Sequence, residues 1–138
     1  MSTISYTEAF GKFGATLTNP NWAVSAKAPD GAIVLSCWLH RLPRVPGTRS
    51  YRYRDQLSRF RGNVPGSNLL REHLLEAQSQ GTPFKLIVAR VLKEEDIVRI
   101  EHGEGADKVR KTFAVKPNFT GLLESFNGDE FTILFTAA

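Results

Sequence analysis

The chain has 138 residues, 41% hydrophobic and 23% charged, with a net charge of +4. That is the size of one domain, spanning 1–138, and it excludes a disordered chain, a collagen-like repeat and a coiled coil. No apolar run reaches the ~18 residues of a membrane span, and the opening Met1-Ser2-Thr3-Ile4-Ser5-Tyr6 has no signal-peptide pattern.

Residues 5–13 predict a short helix. Ser5 can cap it, Glu8 completes a capping box, and Ala9, Phe10 and Phe13 share one side. Segments 22–28 and 32–39 read as strands flanking Pro29-Asp30-Gly31, a hairpin turn in which Gly takes the positive φ. Both faces of 32–39 are largely apolar, which predicts a central strand covered on both sides. The stretch 41–50 holds two prolines and a glycine and reads as a loop. Residues 51–60 stay open between strand and helix: Tyr51 to Arg54 alternate, while Asp55 to Arg61 could turn. Gly62-Asn63-Val64-Pro65-Gly66 reads as a break.

Residues 68–80 predict the second helix, with Leu69, Leu70, His73, Leu74 and Ala77 at helical spacing. Ser67 or Asn68 would cap it, and Gly81 suits its C-terminus. A buried strand follows at 84–92. Glu94-Glu95-Asp96 reads as a polar turn, 97–100 as a short strand, 102–107 as a flexible loop and 110–115 as a strand. Segments 120–126 and 130–135 flank Asn127-Gly128, a strong hairpin signal. Together these predict an α+β domain: a mainly antiparallel sheet, open or partly closed into a barrel, built from two hairpins with two helices packed on it. The order strand–helix–strand across 51–92 leaves room for one parallel pair.

Several chemistries find no support. Zinc sites need closely spaced Cys and His, whereas Cys37 is the single cysteine and His40, His73 and His102 are scattered. No metal and no cofactor is expected. Gly103-Glu104-Gly105 is a lone GxG with acidic neighbours, so it reads as a turn rather than a phosphate loop. Asp30 is explained by its hairpin, not by a nuclease site. Cys37 and His40 point to opposite strand faces, and Cys37 reads as core. His73 reads as a core histidine before a catalytic one. Without a disulfide framework the cytoplasm is the expected compartment.

One constellation stands out. Residues 1–71 carry ten Lys/Arg against three Asp/Glu, whereas 72–138 carry eight against eleven. Between His40 and Arg61 lie Arg41, Arg44, Arg49, Arg52, Arg54, Arg59 and Arg61 with Asp55 alone opposing them, and Tyr51, Tyr53 and Phe60 are interleaved. Arginine grips phosphate bidentately and stacks on rings, and aromatic faces stack on exposed bases. The expected function is therefore an accessory module that binds DNA or RNA through Arg41, Arg44, Arg49, Tyr51, Arg52, Tyr53, Arg54, Arg59 and Arg61. If 51–54 is extended, the tyrosines share one face and Arg52 and Arg54 the other. Against this, the arginines could pair with the acidic second half. Two alternatives stand beside it. One is a small ligand-binding or catalytic domain with a pocket lined by Trp22, Trp38, His40 and His73. The other is an interaction subunit that meets an acidic protein, as a monomer or a small homo-oligomer. A non-enzymatic role is favoured, with no membrane partner.

Overall fold

Residues 4–103 and 109–137 are described in the computed structural model. Pro29-Asp30-Gly31 makes the turn the sequence predicts. Asp30 accepts from the Ala32 amide at 3.0 Å, Gly31 has φ 91°, and Ala28 N–H donates to the Ala32 carbonyl at 2.9 Å. The strands it joins are β1, Ser25–Lys27, and β2, Ile33–Trp38, the first shorter than expected. Before them lies α1, Tyr6–Gly11, with its full capping box between Ser5 and Glu8.

The open segment 51–60 divides. Ser50–Gln56 is strand β3, and Leu57–Phe60 is a 3-10 turn. Helix α2 spans Val64–Gln80, beginning earlier than expected. The supposed break at 62–66 is its first turn: Asn63 caps it, and Pro65 sits where a missing N–H costs nothing. Strand β4, Phe84–Val91, follows as predicted.

The expected strand at 97–100 is a helix instead, α3, Glu95–Glu101. Glu95 and Asp96 occupy its first turn, where the helix dipole favours negative charge, and Ile100 buries against the sheet side. Of the expected loop 102–107, all but His102 and Gly103 lies outside the described residues. The strands expected at 110–115 and 120–126 are one, β5, Lys111–Phe126. Its register against β4 jumps from Lys116 opposite Leu86 to Thr120 opposite Lys85. Pro117, which has no N–H to give a ladder, sits in the resulting bulge. Past the bulge Thr120 and Gly121 still pair with β4 on one edge, while Phe119 to Phe126 pair with β6, Glu130–Ala137, on the other. Asn127-Gly128 forms the predicted hairpin turn between β5 and β6.

The sheet has six strands in the order β1-β2-β4-β5-β6-β3 and is not closed. It is mixed rather than wholly antiparallel: β2 and β4 run parallel, with α2 in the crossover. The parallel partner of β4 is therefore β2, not the 51–56 strand. The sheet carries three helices among the described residues, not two. As expected of a doubly covered strand, β2 packs Ile33, Leu35 and Cys37 into a core shared with Leu70 and Leu74 of α2. Its Val34 joins Ala9 and Phe10 of α1 on the other face. The sheet curls until the Trp38 amide of β2 donates to the Tyr53 hydroxyl of β3 at 3.4 Å. No helix among the described residues is long and apolar enough to cross a membrane.

Candidate nucleic-acid interface and aromatic cleft

Strand β3 pairs with β6 so that Tyr51, Tyr53 and Asp55 face the same side as Phe135, Ile133 and Phe131. That side is the core. Tyr53 is 1% exposed, and Tyr51 stacks edge-on against Phe119 at 5.6 Å. Arg52 and Arg54 consequently face outward, the alternation foreseen for an extended 51–54.

The seven arginines separate by partner. Arg59 is 6% exposed and forks onto Asp55, Nε to Oδ1 at 2.7 Å and Nη2 to Oδ2 at 2.6 Å. Arg41 holds Glu101 with Nε at 2.7 Å and with Nη2, and lies 3.5 Å from Asp55. Burial works against both guanidinium charges, but the carboxylates outweigh it and hold the two above their ordinary range. Arg52 pairs with Glu124 at 2.7 Å, and Arg61 donates to the His102 carbonyl at 2.9 Å. Pairing with the acidic half thus occupies Arg41 and Arg52, while Arg59 is occupied within the basic segment. Arg44, Arg49 and Arg54 are exposed and have no carboxylate partner among the described residues.

The 43–50 loop folds back along the outer edge of β3. Val45 N–H donates to the Ser50 carbonyl at 2.8 Å and Arg52 N–H to the Pro43 carbonyl at 3.0 Å. Between this strap and the strand is a groove of about 190 Å³, walled by Pro43, Val45 and Pro46 and lined by Arg44, Arg52 and Arg54.

A second, larger cavity of about 400 Å³ lies on the α1 side of the sheet. Its floor is one cross-strand row: Trp38 of β2 opposes Ala89 of β4, which opposes Phe113 of β5. Trp38 and Ala89 are 8% and 2% exposed, so the row is a covered floor and the space of this aromatic slot lies above it. Trp22, Tyr6 and Phe60 enclose it, with Ser36, Arg59, Asn63 and Lys111 as polar lining. Asn63 ties two walls together: its Oδ1 caps α2 at the Gly66 amide, and its Nδ2 donates to the Trp22 carbonyl at 2.8 Å. Only glycine fits at 66, because a Cβ would lie 2.5 Å from that same carbonyl. Arg59 lies 4.3 Å over the Phe60 ring.

Of the four residues expected to line a pocket, Trp22 and Trp38 do, and the two histidines do not. His40 sits behind the wall, 3.0 Å from Glu101, with its ring 6.0 Å from that of Trp38. His73 is 8% exposed and bonds the wholly buried Ser25 hydroxyl through Nδ1 at 2.7 Å, on the α2 side of the sheet. Burial, and then Lys27, hold its pKa below the ordinary value. Cys37 is wholly buried, and burial pushes its thiol well up, so it is a core residue. Among the described residues no cluster of His, Cys, Asp and Glu could hold a metal ion. Tyr6, Phe60, Ala89 and Phe113 were not among the expected site residues. Aromatic character was the only sequence signal for three of them and Ala89 had none, since the strand register that unites them is not written locally. No family model matches the chain, and neither does any curated protein or solved structure compared with it.

Proposed function

We propose that the protein is a nucleic-acid-binding module whose backbone contacts are made by a reduced set of the arginine segment, Arg44, Arg49 and Arg54, beside Arg52 held on Glu124. The observation that carries this reading is the groove beneath the 43–50 strap, where three guanidiniums line one apolar-walled channel. A phosphate there would meet planar forks and displace little of the existing structure, since Arg44 gives up only a Thr48 carbonyl at 2.8 Å. Arg52 keeps its position through Glu124, which orients it along the outer face. Arg41, Arg59 and Tyr53 belong to the scaffold in this reading. A cytoplasmic setting fits a module whose one cysteine is buried.

The test is a salt titration. Arg44→Ala with Arg54→Ala should weaken oligonucleotide binding and flatten the log–log salt slope by about 1.4 on a single strand and about 1.8 on a duplex, near 0.7 and 0.9 for each phosphate left without its arginine. An unchanged slope would remove the reading. A second reading, a small-ligand domain, is favoured by the aromatic slot. It predicts salt-insensitive binding of a planar compound and indifference to both arginine substitutions.

A further inference from the structure

We infer that the slot receives one unstacked nucleobase of the bound strand against its outer aromatic walls, a reading that rests on the nucleic-acid function proposed above. Trp38 and Ala89 are 8% and 2% exposed and form a covered floor. Tyr6, Trp22, Phe60 and Phe113 line the cavity and are only partly buried, so they present ring surface to it. Ring faces of this kind stack on an exposed base. The cavity volume, about 400 Å³, is in the range of small-molecule sites and exceeds what one base occupies.

The electrostatics select a neutral heterocycle. Arg59 lines the slot, but Asp55 already neutralises it. The Tyr6 hydroxyl is committed to the Ala23 carbonyl at 2.6 Å. Ser36, one step below Trp38 on the same face of β2, is half-buried and lines the slot with a hydroxyl able to donate or accept at a base edge. An anionic ligand would find no unneutralised guanidinium inside, and Lys111 in the lining already donates to the Val109 carbonyl at 3.2 Å. Extruding a base is least costly from a single strand, so single strands are the favoured form.

The chain has two tryptophans, and both line the slot. Tryptophan fluorescence therefore reports this site alone. The full chain is titrated with a labelled single-stranded oligonucleotide, with the same strand stripped of every base, and with the four free nucleosides. Strand anisotropy is followed in parallel. The base-bearing strand should quench the tryptophans and bind about tenfold tighter than the stripped strand, the effect expected of one base–aromatic stack. Trp22→Ala removes a partly buried wall and should lower the tenfold preference while leaving the salt-dependent binding. Should that variant not fold, Phe60→Ala, at a second partly buried wall, should lower the same preference. Equal binding of both strands with no quenching overturns the inference and leaves the nucleic-acid reading standing. Nucleosides that quench while neither strand binds overturn both, in favour of a small-ligand site.

Discussion

Asp55 has a side chain with no exposed surface, yet it is surrounded by donors. The Tyr53 hydroxyl reaches it at 2.7 Å, the Gln56 amide at 2.8 Å, and Arg59 through two nitrogens. Burial, and then the Asp55 charge, hold the Tyr53 hydroxyl well above its ordinary pKa, so it remains a donor throughout the neutral range. A buried ion pair adds little over an apolar core, but breaking one strands a charge in a low-dielectric interior. Asp55→Asn should therefore lower unfolding stability by about 3 kcal/mol, since it leaves Arg59 buried beside a neutral amide. Urea denaturation measures this, and a loss below about 1 kcal/mol would mean that Arg59 is not held by Asp55. The same network was half legible in the sequence. Asp55 stood out as the lone acid among seven arginines. That it serves Arg59, four residues on, depends on the strand ending at Gln56 and turning immediately as a 3-10 segment.

At the scale of elements, α2 links the core to the slot. Asn63 caps the helix and holds the Trp22 carbonyl with the same side chain. Asn63→Ala should cost about 1 kcal/mol through removal of the cap, and it should also shift tryptophan emission as the Trp22 wall loosens. Asn63→Asp keeps the capping oxygen but removes the donor to Trp22, so it should retain most of the stability and still shift the emission. Thermal unfolding with emission spectra separates the two effects; a silent spectrum in both variants would detach Asn63 from the slot. This helix shows where local reading stops. Leu70, His73, Leu74 and Ala77 carry the period, and all are buried as that period requires. The first turn was hidden because Val64-Pro65-Gly66 resembles a loop until an Asn cap is recognised. The α3 segment failed for the opposite reason: Ile97 to Ile100 is too short to distinguish a period of two from one of 3.6. The hairpin turns at Gly31 and Gly128 were legible because their chemistry is local. The slot was not, because its floor joins residues 38, 89 and 113 through registers set by a parallel crossover and a bulge.

For the whole molecule, the basic first half and acidic second half meet through specific pairs, Arg41 with Glu101, Arg52 with Glu124, and Lys27 with Glu76. The Glu101 and Glu76 pairs and a buried histidine make stability depend on pH in two separate windows. His73 faces the Ser25 hydroxyl, with Lys27, Glu72 and Glu76 around it, and burial keeps its folded pKa below the ordinary 6.5. The unfolded chain then binds a proton before the folded one does. Stability is full above pH 6.5 and falls as the pH drops below it, towards the folded pKa. The carboxylates form the second window. Lys27 and Thr82 hydrogen bonds lower Glu76, and the Arg41 and His40 contacts lower Glu101 despite its burial. Their contribution persists above pH 4.5 and disappears as the pH falls through their depressed values. The melting temperature should thus decline in two steps on acidification. His73→Gln, which can still bond Ser25 but cannot titrate, should erase the step below pH 6.5 and leave the one below pH 4.5. If the upper step survives in that variant, the acid sensitivity belongs to a group other than His73, and the buried Ser25 contact is neutral in its effect on pH.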